Sequence, residues 1–239
     1  MRPLFLGTYA RYSFIIDLLK KKKYKNILEI WSGLYGISDY FSTHFTGIDS
    51  TTAPSKNRSQ RMNFIHGDAL ALKEKDNSYD FVFSTDMLEH IDNKQRIVAI
   101  KEAIRVSSTM CVIGFPCGKL AQLHDDLLFN YLEMSDKNWK NWRHAWLIEH
   151  IENWLPSYED LNQLTEDISW LGYSCSPVWT NNIIGWKNII WLEMLLLKWW
   201  YFWLLLSTIF VWIAKIFRPR FVCQPQLGYR AFLVIHKKR

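Results

Sequence analysis

Between residues 26 and 115, five short apolar runs follow one another, and each is separated from the next by a polar or amphipathic stretch. Strand, turn and crossover in regular alternation is what a parallel sheet requires. The runs are Asn26 to Ile30, one closing on Thr46-Gly47-Ile48-Asp49, Asn63 to Ile65, Asp80 to Phe83 and Met110 to Phe115. Further strands near Tyr173 to Trp179 and from Tyr229 to His236 bring the expected sheet to seven. Helices are predicted over Arg11 to Lys23, Tyr35 to Thr43, Met87 to Ile91, Asn93 to Val106, a Trp-rich segment Asn138 to Trp154, and Tyr158 to Trp170. Ser157 and Asp160 stand at capping-box spacing for the last of these. The expected fold class is α/β, a doubly wound, mostly parallel seven-stranded sheet in a single domain over residues 1–239, with a hydrophobic helical insertion at 183–217 before the last strand.

The 239 residues suffice for one well-buried core. The four cysteines, at 111, 117, 175 and 223, form no CxxC pair, which points to reduced thiols and gives no zinc motif. Net charge is +6, but its distribution says more: residues 1–26 hold seven Lys/Arg and one acid, and residues 215–239 hold seven Lys/Arg and no acid. Two basic ends around an acidic middle suit an anionic surface, of which membrane headgroups and nucleic acid are the two obvious kinds. The N-terminal stretch lacks the long apolar run of a signal peptide.

After the first strand comes Glu29-Ile30-Trp31-Ser32-Gly33-Leu34-Tyr35-Gly36, and Asp49 closes the second strand twenty residues after Glu29. Glycines let a backbone approach a ligand, and a carboxylate at the end of strand two can accept from ribose hydroxyls. Here the chain resembles the class I S-adenosylmethionine-dependent methyltransferases, whose first motif reads acid-x-Gly-x-Gly. Trp31 stands where the family has its first glycine. Three further segments carry the resemblance: His66-Gly67-Asp68-Ala69 after strand three, Asp80-Phe81-Val82-Phe83-Ser84 as strand four, and Leu88-Glu89-His90-Ile91 after it. The resemblance implies a Rossmann-like methyltransferase fold, S-adenosylmethionine as cofactor, and cofactor contacts from Glu29, Gly33, Gly36, Asp49, Asp68, Ala69 and Ser84.

Methyl transfer from a sulfonium is an in-line displacement, so the protein's main task is alignment, with a base helpful for an oxygen acceptor of high pKa. His90, just past strand four, is the expected catalytic base. On a helix, Asp86, Glu89 and His90 fall at i, i+3 and i+4 and could ligate a divalent metal, but such a run also packs or caps a first turn, and no metal is assigned. His144, Glu149 and His150 lie in the Trp-rich segment, where Trp139, Trp142 and Trp146 form a stripe typical of packing; Glu149 and His150 are secondary candidates for a base.

The expected function is O-methylation of a small or lipid-linked acceptor at the cytoplasmic face of a membrane. RNA methylation is an alternative encouraged by the basic ends, although nucleic acid is disfavoured as a partner because Ser84-Thr85-Asp86-Met87 replaces the Asp/Asn-Pro-Pro-aromatic motif of base amino-methyltransferases. A non-catalytic membrane-attached scaffold is the other alternative, prompted by Trp31. Trp199 to Ala214 runs sixteen residues without a charged side chain. That is short of the roughly 20 apolar residues a spanning helix needs, so a re-entrant hairpin or interfacial helix is expected instead.

Overall fold

The computed structural model describes residues 4–50, 59–135, 140, 145–196, 200–217 and 223–237. Its strands are β1 (Ile27–Ile30), β2 (Phe45–Asp49), β3 (Met62–His66), β4 (Tyr79–Thr85), β5 (Ser107–Pro116), β6 (Ser174–Asn182) and β7 (Gly228–His236). They form one sheet in the order β3-β2-β1-β4-β5-β7-β6, parallel except for β7, which runs antiparallel between β5 and β6. Helices are α1 (Leu6–Lys21), α2 (Asn93–Val106), α3 (Lys119–Ser135), α4 (Ala145–Asn153), α5 (Tyr158–Trp170), α6 (Ile183–Leu196) and α7 (Trp200–Phe217).

Side chains alternate across a strand, so each central strand feeds two cores. Leu28, Ile30, Val82, Ile113, Leu233 and Ile235 join Ala99, Ile100 and Ala103 of α2 and Leu161 and Ile168 of α5. Ile27, Phe81, Phe83, Val112, Phe232 and Val234 join Tyr12, Ile15 and Ile16 of α1 and Val211 of α7. Helices thus cover both faces, which is why the strands read as nearly unbroken apolar runs.

Three expectations change. Tyr35 to Thr43 is not a helix but a single 3-10 turn at Gly36–Asp39, because Gly36 sits at φ +50°, outside the right-handed helical region. Met87 to Ile91 shortens to a 3-10 turn at Leu88–His90, since Asp86 at φ +62° turns the chain before it and Asp92 restarts it by capping α2 through Lys94 N. The long helix α3 was not expected at all. Its buried face reads Ala121, His124, Asp125, Leu128 and Leu132, a helical period in which two polar residues interrupt the apolar signal. Of the Trp-rich segment, α4 begins at Ala145; Trp139, Trp142 and His144 lie outside the described residues.

The inserted segment is two helices, α6 and α7. Trp186, Val211 and Ala214 are buried in protein, Ser207 Oγ donates to Leu4 O at 2.7 Å, and Leu4 N donates to Thr208 Oγ1 at 3.2 Å, so α7 is fastened to the start of α1. Among the described residues no helix is long and apolar enough to cross a membrane.

Candidate active site

In this strand order β1 and β4 are neighbours whose crossovers leave in opposite directions, and ligands of open α/β sheets bind at the carboxyl end of such a pair. Both strands end here on a non-glycine residue in the left-handed region, Trp31 at φ +66° after β1 and Asp86 at φ +62° after β4. Such backbone strain is stored where surrounding structure over-determines it.

The loop after β1 is held by its neighbour. Trp31 N and Ser32 N donate to Ile48 O at 2.7 and 3.1 Å, and Gly33 N donates to Asp49 Oδ2 at 2.9 Å. A Cβ built on Gly33 meets nothing within 4 Å, so the space over the loop is open. At Gly36 the same atom would lie 2.2 Å from Glu29 Oε2, which makes glycine obligatory there. Glu29 lies beneath the loop, against Gly36. It is 1% exposed, accepts from Tyr12 Oη at 2.7 Å and Ile37 N at 2.9 Å, and supports the loop from below; burial pushes its carboxyl up to about 8. Asp68 is exposed beyond β3 with Oδ1 accepting from Leu70 N at 2.9 Å, and Ala69 is buried beside it. Ser84 is fully buried and its Oγ makes no hydrogen bond among the described residues.

Beyond β4 a second set of groups surrounds a cavity of about 290 Å³, lined by Arg11, Asp86, His90, Trp146, His150 and Trp186 among others. Asp86 is ion-paired with both Arg11 and Arg230, the latter 2% exposed with its guanidinium 5.9 Å from the Trp186 and Tyr229 rings. His90 lies flat against Trp31, centroids 5.5 Å apart at 9°, while its Nδ1 pairs with Glu149 Oε2. Burial and the neighbouring His150 hold the His90 imidazole in its neutral form. His150 Nδ1 bonds Asp125 Oδ2 at 2.7 Å, and Asp125 also takes His124 Nδ1 at 2.9 Å and Tyr229 Oη at 3.1 Å. Burial pushes the Asp125 carboxyl up, but the bonds from His124 and His150 outweigh it and hold the group low. Glu89 is fully buried, and neither of its carboxylate oxygens has a hydrogen-bond partner among the described residues.

The structure thus brings Asp49, Asp68, Gly33 and His90 to one edge of the sheet and sends Glu29 and Gly36 beneath it. Sequence reasoning missed Arg11, Asp125, Trp186 and Arg230, which come from α1, α3, α6 and β7. The only legible signal was at Asp125, where His124-Asp125 sits on the inward period of a helix that the polar pair concealed.

Residues 32–109 match the family described as a methyltransferase domain. A curated relative, norajmaline N-methyltransferase of Rauvolfia serpentina, is 29% identical over 130 residues, covering 49% of this chain and 42% of that protein. The chain therefore spans less than half the length of that relative. Among solved structures, phosphoethanolamine N-methyltransferase 2 of Haemonchus contortus, with S-adenosylhomocysteine bound, aligns at TM-score 0.56 and 15% identity over 95% of this chain and 53% of its own. A small RNA methyltransferase aligns at TM-score 0.59 and 9% identity over 97% of this chain and 25% of its own. These two likenesses speak to the fold. S-adenosylmethionine fits the residues present: Gly33 leaves its space open, the Asp49 and Asp68 carboxylates stand at the same edge, and the Trp31 indole lies on His90 without reaching the position over Gly33. By sheet order and glycine loop the chain resembles the class I S-adenosylmethionine-dependent methyltransferases, and its residues 32–109 match a methyltransferase domain.

Proposed function

We propose that the protein methylates an oxygen of a small or lipid-linked acceptor that enters the cavity beyond β4. The observation that carries this is the place of the cavity: His90 and Asp86 at the carboxyl end of β4 form one wall, and Trp186 and Ile190 of the inserted helix α6 form another. Gly33, Asp49 and Asp68, which would hold the donor, contribute nothing to that lining. Donor and acceptor therefore have separate seats that meet at Trp31 and His90.

When bound, S-adenosylmethionine supplies a methyl group on a positively charged sulfur. Asp49 and Asp68 offer carboxylate acceptors for ribose hydroxyls and an exocyclic amine, and the Gly33 backbone permits close approach. The acceptor oxygen forms its bond to the methyl carbon as the carbon–sulfur bond breaks, the electron pair remaining on sulfur. Its proton must leave. His90 is neutral, its Nδ1 is occupied by Glu149, and its other nitrogen is left to act at the cavity. The aromatic walls Trp146 and Trp186 exclude water and favour a largely apolar acceptor.

Support for a lipid-linked acceptor comes from α7. Ile209, Trp212, Ile213 and Ile216, at i, i+3, i+4 and i+7, are 43%, 52%, 43% and 71% exposed. Lys215 on the same helix and the exposed Lys20 to Lys23 at the end of α1 stand beside this stripe, an arrangement suited to an anionic membrane surface. Calorimetric titration of the folded protein with S-adenosylmethionine and S-adenosylhomocysteine tests the enzymatic reading. Binding of both with one-to-one stoichiometry is expected, and no binding by either overturns it.

A further inference from the structure

Resting on the acceptor site just described, we propose that Glu89, His90 and His150 bind a divalent transition-metal ion at the inner wall of the cavity. One ligand atom from each residue lies within 4.8 Å of the other two, and His150 Nε2 is 3.9 Å from Glu89 Oε1. A metal about 2.1 Å from each donor needs donor separations of roughly 3–4 Å, so the cluster closes by about an ångström on loading.

Three independent features point to a cation. First, a carboxylate with both oxygens buried and unpartnered carries a large desolvation cost, and an ion is one of the few groups that removes it. Second, both histidines present the same nitrogen. His90 Nδ1 is taken by Glu149 and His150 Nδ1 by Asp125, which leaves Nε2 of each as the lone-pair donor. A carboxylate behind each imidazole is the usual outer shell of a metal-bound histidine, fixing its tautomer and ring orientation. Third, the rings are locked in place: Trp31 lies flat on His90, and Trp146 meets His150 edge-on at 5.1 Å and 75°. Asp86 is absent from the donor set because Arg11 and Arg230 already occupy it.

Two imidazoles and one carboxylate suit zinc, iron or manganese better than magnesium or calcium. Three protein ligands leave positions open toward the cavity. An acceptor hydroxyl entering one of them becomes more acidic, and its proton passes to water as the oxygen forms its new bond. His90 then serves as a ligand, and the ion takes over the task of a base.

The test is calorimetric titration of chelator-treated, dialysed protein with Zn2+ and with Mn2+. One ion per chain is expected, with affinity falling at least about tenfold in Glu89→Gln and in His150→Gln, and unchanged in His236→Gln, an exposed histidine outside the cluster. Absence of binding, or binding that none of these substitutions alters, overturns the proposal. Should either cluster variant fold poorly by circular dichroism, pulsed electron paramagnetic resonance on the Mn2+-loaded wild type decides: nitrogen couplings from two imidazoles are expected, and a purely oxygen-ligated ion refutes the site. S-adenosylmethionine affinity is measured alongside. Retained cofactor binding without metal binding sinks this inference alone, whereas lost cofactor binding sinks the methyltransferase reading.

Discussion

Glu29 is the residue whose role differs most between the motif and the structure, and Glu29→Gln separates the two. Burial lifts its carboxyl from 4.5 to about 8, so at neutral pH the folded protein retains a proton that the unfolded chain releases. Retaining it costs about 1.4 kcal/mol per pH unit above the unfolded pKa, or about 3 kcal/mol at pH 7. The sign follows: a carboxyl with a raised folded pKa loses stability as pH climbs from 4.5 towards 8, and the loss then levels off. Glutamine keeps both contacts without the ionisation. Its carbonyl oxygen accepts from Ile37 N, its amide donates to Tyr12 Oη, and the tyrosine proton turns to Thr85. Urea unfolding of both proteins from pH 4.5 to 8.5 should show near-equal stability at the acid end. The variant should then gain an advantage that grows to about 3 kcal/mol at pH 7. Cofactor affinity should stay within about twofold, since Glu29 faces the underside of the loop. A stability gap that is flat with pH, or a variant weaker than wild type at pH 8, would refute the reasoning.

Asp49→Ala should weaken S-adenosylmethionine binding by about 1.5–3 kcal/mol for each charge-assisted bond lost, read by calorimetry, and an unchanged Kd would remove Asp49 from the donor site. Trp31→Gly relieves about 1–2 kcal/mol of left-handed backbone strain and forfeits about 0.5–1.5 kcal/mol of ring contact, so Tm should barely move. Because the indole does not reach over Gly33, cofactor affinity should also hold, and a tenfold tightening would place the ring in the donor's seat. Arg96→Leu should cost about 3–5 kcal/mol in chemical denaturation, because the buried guanidinium ties Leu88 O and Ile91 O to Asn153 O and Trp154 O; a loss under 1 kcal/mol would show that water replaces it. Replacing Ile209, Trp212 and Ile216 together with serine should abolish sedimentation with anionic vesicles while leaving cofactor binding intact. Equal sedimentation of both proteins would end the membrane reading of α7.

The strands were legible because short apolar runs separated by polar or amphipathic stretches have few other uses, and each of the seven lies within a few residues of its expected place. Ser157 and Asp160 form the full capping box that their spacing announces. The residues proposed to hold the donor are local to strand ends, so a sequence pattern can single them out. What stayed hidden was the set of groups around the cavity beyond β4. Arg11 and Arg230 reach Asp86 from opposite ends of the chain, and no local pattern announces a contact at such separation. Glu149 and His150 read as a weak helical pair until α3 supplies Asp125 behind one of them. Trp31 was readable only as a missing glycine; its use as a plate against His90 depends on where the turn after β4 falls.

The placement of β7 between β5 and β6 sets an order on how the molecule can be assembled during translation. Strands β1 to β5 can pair as they emerge, and the donor loop needs nothing beyond them. Among the described residues β6 pairs only with β7, which is made only after α6 and α7, so its edge stays open while both apolar helices leave the ribosome. The cavity waits as well, since Tyr229 and Arg230 close it. A nascent chain of this protein would thus acquire the seat for its methyl donor well before the seat for its acceptor, and through that interval its most aggregation-prone segments would depend on chaperones or a lipid surface for cover.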